Sequence, residues 1–232
     1  MAPVFKAFPT TAELDTGLAR FVAARLEAAI AERGAASLVV SGGRTPLGFF
    51  ARLAEQSLDW PAVSITLADE RWLGPEHADS NERVVRANLL RGPAAAARFV
   101  PLKNEAPSAA AGAPATAAAL CAMPRPFDVV ILGMGEDAHT ASLFPGAAEL
   151  AAGLDPDASA ECLALTPPAA PHPRLSLTRA ALLDSRCLVL HFTGQRKRSI
   201  YQQALGAGPV AAMPVRLALH QTKVPCHVFW TA

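Results

Sequence analysis

The sequence predicts an α/β fold, a three-layer α/β/α arrangement around a Rossmann-like, mostly parallel sheet. Three observations lead there. Short apolar runs of strand length alternate with segments of helical periodicity, as in sheets covered on both faces. Glycine clusters at 42–43 and 133–135 fall where two of those runs end, at the strand exits where such sheets bind ligands. The chain has 232 residues, 51% of them hydrophobic, enough for one domain with a sizeable core, assigned to residues 1–232.

The elements follow in order. Thr10-Thr11-Ala12-Glu13 reads as a capping box. Behind it Leu14, Leu18, Phe21, Val22, Leu26 and Ile30 recur at helical spacing up to Gly34. Residues 37–40 form a strand that stops at Ser41-Gly42-Gly43. A helix follows Thr45-Pro46, with Thr45 as its expected N-cap and Leu47, Phe49, Phe50 and Leu53 as its apolar face. Val63–Leu67 is a strand, and Asp69-Glu70-Arg71 is expected as the turn that leaves it. Asp79 or Ser80 can cap a helix bearing Val84, Val85, Leu89 and Leu90. Residues 105–119 are almost all Ala, Pro, Gly and Ser, read as a surface excursion followed by an Ala-rich helix. Residues 127–132 carry the strongest strand signal and run into Gly133-Met134-Gly135. Later strands are expected at 174–178, 186–193 and Cys226–Thr231, and helices at Gln195–Leu205 and 210–219.

The charge balance excludes some classes of function. With 21 basic and 20 acidic residues the net charge is +1, so neither nucleic acid nor an anionic membrane is an expected partner. Any anion site must be a local cluster. Cys121, Cys162, Cys187 and Cys226 are far apart and form no C-x-x-C pair, so they read as reduced core residues of a cytoplasmic protein rather than zinc ligands. Residues 1–8 hold Lys6 but no apolar h-region, so no signal peptide is expected, and no bilayer-spanning stretch is visible. The expected partner is a small molecule and the expected state a monomer.

Two loops carry the chemistry. In Ser41-Gly42-Gly43-Arg44-Thr45-Pro46 the glycines let backbone N–H groups approach a ligand, and the helix start adds unpaired donors for an anion. Alone, this hexamer fits an ordinary strand–turn–helix connection equally well. It has neither Walker spacing nor a dinucleotide fingerprint. The second loop, residues 133–146, packs Glu136, Asp137 and His139 behind a buried strand. Imidazole can take a proton from water and return it near neutral pH, and Asp137 is the candidate that orients the ring. An isolated histidine more often satisfies a carbonyl; the glycine-rich strand exit favours function here. No second histidine stands three or four residues away, so a metal pair is not indicated. Of the other histidines, only His77 has some claim to a role; His172, His191, His220 and His227 read as structural or surface residues.

Three motifs in order resemble the 6-phosphogluconolactonase family: Ser41-Gly42-Gly43-x-Thr45-Pro46; Asp69-Glu70-Arg71-Trp72 with His77-x-Asp79-Ser80-Asn81; and Gly133-Met134-Gly135-x-Asp137-x-His139-Thr140-Ala141-Ser142-Leu143-Phe144-Pro145-Gly146. A weaker fourth match is Arg174-Leu175-Ser176-Leu177-Thr178 with Thr193-Gly194-x-x-Lys197. The resemblance implies a fold shared with sugar-phosphate isomerases and deaminases. It implies hydrolysis of a sugar phosphate lactone, 6-phospho-D-glucono-1,5-lactone, in the oxidative pentose phosphate pathway, without metal or organic cofactor. It further implies His139 as the base, Arg71 beside the substrate, and Ser41, Gly42, Gly43, Arg44, Thr45, Arg174 and Lys197 around the phosphate. Two positions depart from the pattern. Ala138 stands where the family usually has glycine, so φ is expected to stay negative there. Met213-Pro214-Val215-Arg216 matches only loosely and nothing is carried over from it.

Two rivals remain open. A glucosamine 6-phosphate isomerase or deaminase shares the loops but typically has an acidic residue where Phe144 stands. A sugar-phosphate sensor would keep the anion site without needing His139.

Overall fold

The computed structural model describes residues 2–168 and 170–232; Met1, within the N-terminal segment read for a leader, lies outside them. Ten strands are present among these residues: β1 (Val4–Phe8), β2 (Ala36–Val40), β3 (Val63–Leu67), β4 (Asp69–Arg71), β5 (Arg98–Val100), β6 (Val129–Leu132), β7 (Cys162–Leu165), β8 (Arg174–Leu177), β9 (Leu188–Thr193) and β10 (Cys226–Thr231). Eight α-helices flank them: α1 (Thr11–Arg33), α2 (Leu47–Ala54), α3 (Asn81–Asn88), α4 (Ala109–Cys121), α5 (Leu150–Leu154), α6 (Arg179–Leu183), α7 (Gln195–Leu205) and α8 (Arg216–Leu219).

Seven strands form the central sheet in the order β1-β10-β9-β6-β2-β3-β5, and every neighbouring pair is parallel. The chain runs outward from β2 through β3 to β5. It then returns to the other side of β2 and runs outward again through β6, β9 and β10. The order reverses between β2 and β6, and the carboxyl ends there diverge into a crevice. β2, β3 and β6 are buried along their whole length, which is why β2 and β6 read as mainly apolar runs; β3 also buries Ser64 and Thr66.

Local signals explain most boundaries. The Thr10 hydroxyl accepts the Glu13 N–H at 3.2 Å, and Gly34 closes α1 in a left-handed conformation at φ 72. Ser80, not Asp79, caps α3, and Ser108 caps α4.

Five expectations are corrected. Cys121, the last residue of α4, is exposed, while Cys162, Cys187 and Cys226 are buried as core residues. Asp69–Arg71 is not a turn but β4, which pairs antiparallel with β8 in a second sheet, β4-β8-β7. Thr45 does not cap α2; Pro46 holds the cap position and no side chain supplies a cap bond. Residues 210–219 are not one helix but a 3-10 turn at Val210–Ala212 and then α8. Pro214, which has no N–H to donate, separates them. β1, β5 and β7 were not expected as strands. Two are sheet edges and the third lies in the small sheet, so none has the fully buried apolar run that marks the centre.

Candidate active site

Two loops leave the sheet at the order reversal, one after β2 and one after β6, and both line a cavity of about 310 Å³. Ser41 ties them together. Its hydroxyl donates to the Ile131 carbonyl at 3.0 Å and accepts the Gly133 N–H at 3.3 Å. That hydroxyl proton is therefore already committed, and Ser41 faces a ligand with little to donate beyond its backbone.

Gly42 and Gly43 shape the first loop. A Cβ at Gly42 would lie 2.1 Å from Asn81 Oδ1, so the backbone passes the α3 start only without a side chain. Gly43 turns the loop with φ 87. The start of α2 is partly taken: Asp15, buried on α1, accepts the Phe49 N–H. Burial pushes its carboxyl up, against the pull of Arg52 and of that N–H. A ligand anion thus finds the loop itself, with Arg44 and Thr45, more open than the helix end.

The second loop is built around one ring. His139 Nδ1 lies 2.6 Å from Asp137 Oδ1, and the same oxygen accepts the His139 N–H at 3.1 Å. Burial alone would raise the Asp137 carboxyl. The hydrogen bonds from the ring and N–H of His139, with the attraction of its charge, outweigh this and hold it below the usual range. A carboxylate at Nδ1 selects the tautomer with its proton there and leaves the Nε2 lone pair free. Phe144 stacks on the imidazole at 4.0 Å between centroids and fixes the ring plane. Gly135 lies beneath; a Cβ there would sit 2.2 Å from the ring.

Ala138 departs from expectation. Its φ is 64, not negative, so the loop keeps the left-handed turn of a glycine with a methyl attached. Such a conformation costs about 1–2 kcal/mol. The turn is held by Ala138 N–H to Gly135 O at 3.1 Å and Val215 N–H to Ala138 O at 3.0 Å. Ala141 is left-handed as well, at φ 49.

The small sheet supplies two cations. Arg71 and Arg174 are cross-strand partners of β4 and β8. Arg174 is 7% exposed, with Nη1 3.8 Å from Asp69 Oδ2, while Ser142 Oγ donates to the same carboxylate oxygen at 2.5 Å. Burial lowers the Arg174 pKa, partly offset by Asp69; a guanidinium keeps its charge regardless. Arg71 Nη1 is tethered to the Asp79 carbonyl, whereas its Nε is buried without a partner. Lys197, from the first turn of α7, is half-buried; burial lowers its pKa and Glu136 pulls it back up in part. Arg196 beside it bonds Glu136 at 2.9 Å and joins α7 to the histidine loop.

The lining therefore holds Ser41, Gly42, Gly43, Arg44, Thr45, Arg71, His139, Arg174 and Lys197 together, with Asp137 behind the imidazole. Four cations face one carboxylate, Asp69, in a chain whose net charge is +1. Glu70 is not in the lining: it accepts the N–H groups of Arg71, Asn81 and Glu82 at the α3 start. His77 is exposed and accepts the Asp79 N–H at 3.1 Å.

Two lining residues were not singled out from sequence, Asn81 and His191. Asn81 Nδ2 donates to the Asp69 carbonyl, and its Oδ1 is buried without a partner. Asn81 gave a positional signal, as the first residue of α3, whereas His191 lies inside β9 and no local signal marked it. No group of three or more side chains fit to hold a metal ion occurs among the described residues. No helix among them is long and apolar enough to cross a membrane.

A parallel α/β sheet whose order reversal opens on a basic, imidazole-bearing cavity defines a class of enzymes that handle small anionic ligands. Comparison narrows the class. The family model for glucosamine-6-phosphate isomerases/6-phosphogluconolactonase matches residues 9–230. A 6-phosphogluconolactonase of Rhizobium meliloti is 44% identical over 223 residues, 96% of each chain. The crystal structure of a 6-phosphogluconolactonase from Shewanella baltica superposes with a TM-score of 0.97 at 50% identity, covering 99% of this chain and 98% of that one. A monomeric glucosamine-6-phosphate deaminase shares the fold at a TM-score of 0.78 and 16% identity, covering 97% and 96% of the two chains. The chain belongs to the glucosamine-6-phosphate isomerase/6-phosphogluconolactonase family.

Proposed function

We propose the following reading: the protein is a 6-phosphogluconolactonase that hydrolyses 6-phospho-D-glucono-1,5-lactone to 6-phospho-D-gluconate, with His139 as general base. The observation that carries it is the His139 imidazole, oriented by Asp137, on the same cavity as four cations. The phosphate binds to Arg174, Lys197 and the backbone of the loop after β2. This remote attachment holds the lactone carbonyl near His139. His139 Nε2 takes a proton from water, and the water oxygen attacks C1. Negative charge then develops on the carbonyl oxygen, where Arg71 is the candidate donor. The C1–ring oxygen bond breaks, and the imidazolium returns its proton to the leaving oxygen. Asp137 keeps the ring in the required tautomer. The enzyme acts as a cytoplasmic monomer without cofactor.

Phe144 favours this reading over amine isomerisation. It stacks on His139 and offers no carboxylate for ring opening. The test is a coupled assay in which glucose-6-phosphate dehydrogenase supplies the lactone. Lactone disappearance well above the spontaneous rate supports the reading. A rate equal to background, or ammonia released from glucosamine 6-phosphate, contradicts it. In the same assay Arg174→Ala should raise KM by about 10–100-fold, as expected for a lost charged hydrogen bond, with a smaller effect on kcat.

A further inference from the structure

His191 lies near the end of β9, on the floor of the cavity, and the mechanism above does not use it. It is 3% exposed yet lines the cavity, and its Nε2 is buried with no hydrogen-bond partner. Buried imidazoles ordinarily satisfy their nitrogens, and an orphan beside a ligand cavity calls for a cause. The edge of the Phe49 ring packs near it at 6.3 Å between centroids and supplies no polar group. The titratable and charged groups on the cavity wall are Lys197 from α7, Arg44 from the loop after β2, Asp69 and Arg71 from β4, Arg174 from β8, and His139.

We propose that His191 is a further binding residue of this site: its imidazole closes the cavity floor and donates a hydrogen bond to the phosphate-bearing end of the ligand, taking up a proton as the dianion arrives. The idea rests on the functional reading above and names a residue that reading leaves out. Without ligand, burial and then Lys197 hold His191 down at about 4, so the free site carries a neutral ring. A dianion among these cations reverses the balance, because an opposite charge close by favours the protonated form. The proton comes from solvent, and it leaves again with the product.

The experiment is calorimetric titration of 6-phosphogluconate into the wild type, His191→Gln and His191→Leu, in buffers of differing ionisation enthalpy between about pH 7 and pH 5. The phosphate of the ligand titrates near pH 6 in all three proteins alike, so differences between them isolate the ring. The proposal expects wild-type binding to take up more protons than either variant. It expects His191→Leu to bind about 10–100-fold more weakly, the loss of a hydrogen bond to a charged group. His191→Gln, which keeps a donor but cannot titrate, should recover much of the affinity and none of the proton uptake. Thermal unfolding at neutral pH checks that the variants are folded. Equal proton uptake in wild type and His191→Gln overturns the proposal while leaving the lactonase reading intact. Failure of the wild type to bind 6-phosphogluconate or to hydrolyse the lactone overturns both.

Discussion

The two loops at the order reversal use glycine in opposite ways. After β2, Gly43 takes φ 87 with nothing within 4 Å of its missing side chain, and the loop offers a ligand its backbone. After β6, Gly135 has an ordinary backbone but no spare space, because the His139 ring fills the place of a Cβ. Around that ring the left-handed positions are Ala138 and Ala141, with Gly146 (φ 78) only at the far end of the loop, and the product of the turn is one oriented side chain. One loop binds through what it leaves open and the other works through what it holds tightly. The same methyl group added to each should therefore fail differently.

The largest effect is expected at Gly135→Ala. The new methyl would meet the ring at 2.2 Å, displacing His139 from Asp137. kcat should fall by about 10²–10⁴-fold, the range for loss of general acid–base help. Steady-state kinetics giving a normal kcat would mean the ring position is not what matters.

Acid stability probes the floor between the loops. His191 stays neutral in the native state down to about 4, while the unfolded chain binds its proton near 6.5. The unfolded state thus binds more protons in that window, and native stability falls as pH drops from 6.5 towards 4. The loss attributable to this ring is about 3 kcal/mol, at one pKa unit per 1.4 kcal/mol. Urea unfolding at both ends of the window should show a shallower decline for His191→Gln than for the wild type. Parallel declines would remove this ring as the cause.

The smallest effect is expected at Gly43→Ala. The methyl meets nothing, so only the left-handed backbone resists it, at about 1 kcal/mol. kcat should stay within about two-fold of wild type, with a modest rise in KM. A kcat loss matching that of Gly135→Ala would erase the distinction between the loops.

The centre of this architecture is legible in the sequence because burial on both faces leaves a local mark. β2 and β6 appear as mainly apolar runs, and the glycines after them mark the exits. Edge strands leave a weaker mark, and β1 is recognisable only through its partner β10, more than 200 residues away in sequence. At the site, His139 and Asp137 are two residues apart, so their bond is a local matter. The pairing of Arg71 with Arg174 is not, since it depends on an antiparallel register between β4 and β8. His191 was hidden for a related reason. Whether a strand residue faces a cavity or packed side chains depends on what the opposite layer places above it.

His139→Ala tests the central claim most directly, when lactone turnover and 6-phosphogluconate affinity are measured on the same preparation. The account predicts a kcat lower by about 10²–10⁴-fold with product affinity kept within a few-fold, because the ring works on the bond and the cations hold the phosphate. Undiminished kcat in that variant would contradict it.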